Sequence, residues 1–372
     1  MIQVTRPYLP SRERLMHYID GIYERHWLTN DGPLVQELTR RLESHLGVDN
    51  LLLVGNGTLA LQVAYRALGV SGGDACVDAV TSPFSFVATA STLKWEGVQP
   101  VFADIDPATW CLAPEAVEAA ITPATRAIVP VHVFGNACDA EGIERVAHRH
   151  GLKVVYDGAH AFGVRLRGES LLNWGDAATL SFHATKLFHT IEGGAIVFRR
   201  RQDLERARLM INFGIAGPEQ INELGINAKM NEFQAAMGLA QLDELEINQA
   251  GRAAAWERYE QALSGCFITQ RRHPECSNNH AYFPIALASE SDLLAILALL
   301  QEHGVVARRY FYPSLSHIAA LAPARGLPLA ADLSRAESLA RRILCLPLYC
   351  GVPVEQVIEP LLAGWRYHVG AA

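Results

Sequence analysis

A single lysine, Lys186, stands in the run Ser181-Phe182-His183-Ala184-Thr185-Lys186-Leu187-Phe188-His189-Thr190, and the glycine pair Gly193-Gly194 follows it. Strand-like segments lead in over 178–182 and out over 195–198, so the lysine sits between strand ends. Its ammonium shifts pKa readily when partly desolvated, which suits a covalent-imine role. Taken alone, the stretch reads more simply as an exposed loop lysine. Two other stretches change that. Asp157 ends the apolar run Val154-Val155-Tyr156 and precedes Gly158-Ala159-His160. A carboxylate closing a buried strand must be paired or solvated, so it is either a turn cap or the partner of a buried cation. Gly55-Asn56-Gly57-Thr58 lies between a short strand at 51–54 and an apolar helix at 59–68. Small residues at a helix N-terminus leave backbone N–H groups for a phosphate, and Thr58 adds a hydroxyl. There is no Gly-Lys-Ser/Thr, so this is not a Walker loop, and many strand-to-helix loops look alike.

A lysine, an aspartate at an earlier strand end and a glycine-threonine phosphate loop together are what pyridoxal 5'-phosphate needs. The lysine bonds the cofactor, the aspartate keeps its pyridine nitrogen protonated, and the loop grips its phosphate.

The elements that must position them alternate. Strand-like segments at 51–54, 76–80, 100–103, 127–131, 153–156, 178–182 and 195–198 are separated by helical patterns, notably 86–95, 114–120 and 140–150. That predicts an α/β domain with a mainly parallel seven-stranded sheet. Ligands of such sheets gather at the strands' carboxyl ends, where 56–58, 84–86, His132, 157–160 and 181–186 all fall. Upstream, Ser11 can cap a helix running to about residue 26, and apolar spacing predicts another over 34–46 that stops at Gly47. Beyond residue 200 the character changes: a charged helix, a polar loop at 212–222, and Gly225 to Glu232 leading into one long helix over 232–263. A strand at 281–286, a helix at 292–303, a strand at 305–310 and two final helices predict a smaller C-terminal α+β domain. The expected division is 1–240, entry arm and cofactor domain, and 241–372.

With 372 residues, 50% hydrophobic, the chain can bury a sizeable core. A net charge of −7 without a basic run argues against nucleic acid. No apolar segment reaches spanning length and the first residues lack an apolar signal core, so a cytoplasmic protein with no membrane contact is expected. The seven cysteines, at 76, 111, 138, 266, 276, 345 and 350, contain no Cys-x-x-Cys and read as reduced thiols, with no metal site. Leu346 to Tyr349, between the last two, reads as packing.

Nearly the whole chain resembles the DegT/DnrJ/EryC1/StrS sugar aminotransferases, which have the aspartate-aminotransferase type I fold. The matching stretches are Leu28-Thr29-Asn30-x-Gly32-Pro33, Asn56-Gly57-Thr58-x-Ala60-Leu61, Pro83 to Thr89, Asp157-x-Ala159-His160, Ser181-Phe182-His183-Ala184-x-Lys186, Glu192-Gly193-Gly194 and Gly225-x-Asn227-x-x-Met230-x-Glu232-x-Gln234-Ala235-Ala236. The resemblance implies that Lys186 bonds pyridoxal 5'-phosphate and shuttles protons, and that Asp157 binds the pyridine nitrogen. It implies that Phe86 stacks on the ring, and that His160, where the family often has Gln, sits near the ring hydroxyl. Gly57, Thr58 and Ser181 would bind the phosphate, with Asn227 reaching it from the neighbouring subunit of a homodimer. Arg308 and Tyr310 lie where the family often approaches substrate; a surface reading is equally open there. His183 matches the motif without an assigned chemistry, and a packed histidine is an equal reading. The implied substrates are L-glutamate and a nucleotide-linked keto sugar. Within the family the wording is most similar to enzymes acting on the C4 ketone of dTDP-4-keto-6-deoxyglucose for surface polysaccharide. A C3-specific aminotransferase would share every motif. A pyridoxamine-dependent dehydratase typically has histidine in place of Lys186, and a cofactor-binding regulator would carry a DNA-binding module, for which there is no spare sequence.

Overall fold

The computed structural model describes residues 1–72, 77–322 and 332–368; Cys76 lies outside them. Seven strands form the central sheet: β1 (Leu51–Val54), β2 (Val77–Thr81), β3 (Val98–Phe102), β4 (Thr125–Val129), β5 (Lys153–Asp157), β6 (Ala177–Ser181) and β7 (Gly194–Phe198). Their order is β1-β7-β6-β5-β4-β2-β3. Only β7 runs against its neighbours; the remaining pairs are parallel. β1, β2 and β7 are buried along their whole length, which is why they read as continuous apolar runs. Side chains alternate between faces. Leu51, Leu53, Val154 and Tyr156 join one core, whereas Leu52, Val54 and Val155 join the other.

Helices α1 (Arg12–Arg25) and α2 (Pro33–Leu46) precede the sheet, and the Ser11 side chain caps α1 as its type predicts. Between strands lie α3 (Gly57–Ala67), α4 (Val87–Trp95), α5 (Pro114–Ala120) and α6 (Ala140–His150); α7 (Arg201–Met210) follows the sheet.

The expected single helix over 232–263 is two helices, α8 (Glu232–Asp243) and α9 (Leu245–Leu263). Glu244 leaves helical geometry at φ −120°, ψ 13°. Its carboxylate accepts from the Tyr8 hydroxyl at 2.8 Å and the Ser11 N–H at 3.1 Å, and pairs with Arg14 at 3.2 Å. The break therefore docks the N-terminal arm, a partner more than 200 residues away in sequence.

The C-terminal part is a smaller α+β layer. β8 (Ile268–Thr269), β9 (Phe283–Ala286) and β10 (Ile343–Leu346) form an antiparallel sheet in that order. Helices α9, α10 (Glu290–Glu302) and α12 (Glu355–His368) supply its core with Tyr259, Leu293, Ile296 and Val357. α11 (Ser334–Arg342) leads into β10. The expected strand at 305–310 is only two isolated bridges, Val305 to Ile2 and Arg308 to Cys345. The regular pairing belongs instead to β10, of which only Leu346 falls in the stretch that reads as packing. Six cysteines are free thiols. Among the described residues, no helix is long and apolar enough to cross a membrane.

Candidate active site

The carboxyl ends of β5 and β6 and the start of α3 bring the chemical residues together. Asp157 closes β5 and is 6% exposed. One carboxylate oxygen accepts from the Ala159 N–H at 3.0 Å, a turn cap; the other accepts from the Thr89 hydroxyl at 2.7 Å. Thr89 in turn meets the Ser85 hydroxyl at 2.8 Å, so Ser85 donates and the chain runs Ser85 to Thr89 to Asp157. Phe86 is the residue at the N-terminal cap of α4, one turn before Thr89, with its ring 58% exposed.

Lys186 is held in a turn whose backbone N–H donates to the His183 carbonyl at 2.8 Å. The next residue's carbonyl accepts from Asn248 at 2.9 Å. The Lys186 Nζ donates to the Tyr282 hydroxyl at 3.3 Å. Desolvation pushes the pKa of Lys186 down, and the charge of Asp157 opposes it. A half-buried lysine with a lowered pKa offers more of its free amine, the nucleophilic form. His160 is pushed well below its ordinary value by burial and then by Lys186. Its Nδ1 accepts from the Phe134 N–H at 3.1 Å, which leaves the proton of the neutral ring on Nε2. The His160 and Tyr282 rings lie 4.5 Å apart.

At α3, the Asn56 side chain takes the Leu59 N–H at 2.9 Å. The N–H groups of Gly57 and Thr58 belong to the first turn, which has no intrahelical acceptor for them. A β-carbon on Gly57 would stand 2.8 Å from the Ser181 β-carbon, and one on Gly194 would stand 2.7 Å from the Asn56 backbone. Glycine at both positions lets the helix start, the end of β6 and the start of β7 close into one cradle. A lysine with a lowered pKa, a buried strand-end carboxylate and this cradle fit pyridoxal 5'-phosphate.

Arg308 and Tyr310 join the cluster through Tyr282. The Arg308 guanidinium donates to the Tyr310 hydroxyl at 3.1 Å, and the Tyr310 ring lies edge-on to Tyr282 at 5.9 Å. Asn227 does not join it: it is exposed and bridged to Asn212. His183 is exposed, not packed, and its ring meets the Thr185 hydroxyl at 2.8 Å. Sequence reasoning gave Thr89 no role, although it closes the matching stretch Pro83 to Thr89 and stands one helical turn from Phe86. It also passed over Tyr282, which lies 96 positions from Lys186 and carries no local signal.

Residues 11–361 match the model of the DegT/DnrJ/EryC1/StrS aminotransferase family. The chain belongs to that family. This family member is 41% identical over 353 residues to the dTDP-4-amino-4,6-dideoxy-D-glucose transaminase of Shigella dysenteriae, covering 94% of each chain. The transaminase of the same name from Escherichia coli is 36% identical over 365 residues, covering 96% of each. Among solved structures, DesI in the presence of its TDP-sugar product superimposes with a TM-score of 0.89 at 34% identity, covering 99% of this chain and 93% of that one. The protein is a pyridoxal phosphate-dependent aminotransferase. Its cofactor, when bound, supplies the electron sink that amino-group transfer requires.

Proposed function

We propose that this enzyme transfers the amino group of L-glutamate to the C4 ketone of dTDP-4-keto-6-deoxy-D-glucose. The product is dTDP-4-amino-4,6-dideoxy-D-glucose, made in the cytoplasm for a surface polysaccharide such as lipopolysaccharide O-antigen. One observation carries the chemistry: the Lys186 amine, with its lowered pKa, faces Tyr282 and feels the Asp157 charge. The 41% kinship to a transaminase of that sugar supports the substrate. Lys186 bonds the cofactor and moves the proton. Asp157 holds the pyridine nitrogen, Phe86 covers the ring and His160 stands by the ring hydroxyl. Gly57, Thr58 and Ser181 hold the phosphate, and Arg308 and Tyr310 meet the substrate.

The active unit is a homodimer, in which Asn227 completes the phosphate site of the neighbouring subunit. Apolar side chains stand exposed on this face: Trp95 at 83%, Leu224 at 73% and Ile226, next to Asn227 in the chain, at 45%. Trp95, Leu224 and Ile226 line one groove with the first turns of α3. Large exposed apolar side chains grouped in one groove support an interface there.

Product analysis by NMR with a panel of dTDP- and UDP-keto sugars plus glutamate tests the reading. A new amine at C4 of the dTDP-linked 6-deoxy sugar is expected. Amination at C3, or preference for a UDP-linked ketone, overturns the substrate assignment.

A further inference from the structure

Arg252, on α9, is only 4% exposed. Its guanidinium donates to the His280 carbonyl at 3.0 Å and the Ala281 carbonyl at 2.6 Å, and to no carboxylate among the described residues. A buried cation is costly unless hydrogen-bonded or paired, and burial brings this one's pKa down to about 10. The two carbonyls immediately precede Tyr282. Arg252 therefore clamps the backbone that delivers the Tyr282 hydroxyl to within 3.3 Å of the Lys186 Nζ. The Tyr282 ring is set between His160 at 4.5 Å, Phe134 at 5.5 Å and Tyr310 at 5.9 Å.

We propose that Tyr282 is a further catalytic residue: its hydroxyl partners the free Lys186 nitrogen in both protonation states as that nitrogen takes and returns a proton, and Arg252 positions it. This rests on the assignment of Lys186 above. A hydroxyl is both donor and acceptor. It accepts from the ammonium, and it donates to the lone pair of the neutral amine. Among the described residues it is the side chain within hydrogen-bonding distance of Nζ. Of the other groups around Lys186, Asp157 favours the ammonium through its charge; the Tyr310 phenol, whose pKa burial raises, stays neutral, and Lys186 in turn disfavours protonation of His160. Around Tyr282 stand Arg252, Arg308 and Cys345, yet burial dominates and pushes the phenol's pKa far up. The phenol therefore stays neutral and its O–H bond is not broken. The proton that Nζ would accept from the substrate carbon would leave from the same nitrogen to the carbon that receives the amine. A carboxylate in this position would hold the ammonium too tightly to return the proton.

The test compares wild type with Tyr282→Phe, which keeps the ring and removes the hydroxyl. Each holoenzyme is converted by glutamate to its amine form, in which Lys186 is free. The pH dependence of Lys186 acetylation is then read by mass spectrometry. Loss of the hydroxyl removes a charge-assisted bond from the ammonium and a weaker neutral bond from the amine. The titration midpoint of Lys186 should therefore fall, by about one pH unit. The glutamate half-reaction should slow about tenfold at unchanged KM. Arg252→Lys keeps the charge but loses the two-carbonyl fork. It should move the same midpoint downward by less, with the hydroxyl still present, and it serves if Tyr282→Phe does not fold. Borohydride reduction of the aldehyde-form holoenzyme and peptide mapping check the premise. Superimposable midpoints with the tag on Lys186 overturn the role of Tyr282 alone. A tag on another lysine overturns both assignments.

Discussion

Asp157 is a turn cap and the proposed partner of the pyridine nitrogen; one of its oxygens takes the Ala159 N–H and the other the Thr89 hydroxyl. Asp157→Asn keeps an oxygen for the turn, so the fold should survive, but on the proposed assignment the negative charge that would face a protonated pyridine nitrogen is lost. Proton abstraction from glutamate should slow roughly a hundredfold, far more than binding weakens. Stopped-flow single turnovers measure both, and wild-type turnover would reduce Asp157 to a cap. The buried histidines make a second prediction. Burial takes His132 down to about 3 and His160 well below its ordinary value. Both are neutral in the fold, while the unfolded chain protonates them below about pH 6.5. Their stabilisation is therefore complete above that pH and is lost as pH falls toward their folded values. Each costs about 1.4 kcal/mol per pH unit in that window. Urea unfolding between about pH 5 and 6.5 should show this slope; a flat profile contradicts it.

At the level of elements, the stretch Leu28 to Pro33 and the stretch Met230 to Glu232 turn out to be one device. Glu232, fully buried at the start of α8, accepts from the N–H groups of Leu34 at 3.0 Å and Val35 at 2.9 Å, so α8 caps α2. Both orphan donors of a helix start are satisfied by a carboxylate about 200 residues downstream. Glu232→Ala strands two buried N–H groups and should cost about 2–4 kcal/mol. Glu232→Gln keeps one acceptor and should lose roughly half as much. Denaturant midpoints of the three proteins give the ranking, and equal midpoints would mean that water replaces the carboxylate. The break at Glu244 works the same way. α8 packs on α1 and α2, while α9 contributes Tyr259 and Leu263 to the C-terminal core, so packing partners change at the break. The division expected at 240/241 lies inside α8.

For the whole molecule, the proposed dimer makes each site depend on two chains. Lys186→Ala and Asn227→Asp should each be poorly active alone, the second because it sets a carboxylate against a phosphate. A mixed dimer holds one site with both defects and one with neither. With free subunit exchange half the dimers are mixed, and roughly a quarter of all sites should recover. Co-expression and a glutamate-dependent amination assay measure this. Well-mixed dimers without recovery would show that Asn227 does not act across the interface.

Local signals were enough for much of this protein. The strands of the sheet and the helices between them were legible because buried parallel strands read as apolar runs, and the bounds expected for α5 and α6 are those observed. The convergence of Lys186, Asp157 and the Gly57-Thr58 loop was legible because polar and small residues at strand ends stand out in otherwise apolar surroundings. What depended on distant partners was hidden. One continuous helical pattern runs through Glu244, where the structure places a break that receives the arm with Tyr8. β10 is an apolar run like any packed segment until β9 pairs with it. Tyr282 looks like any strand-edge tyrosine until Arg252 and the turn of Lys186 bring its hydroxyl to the Lys186 Nζ. Such contacts are made by side chains converging through tertiary packing, a relation that neither spacing nor periodicity encodes.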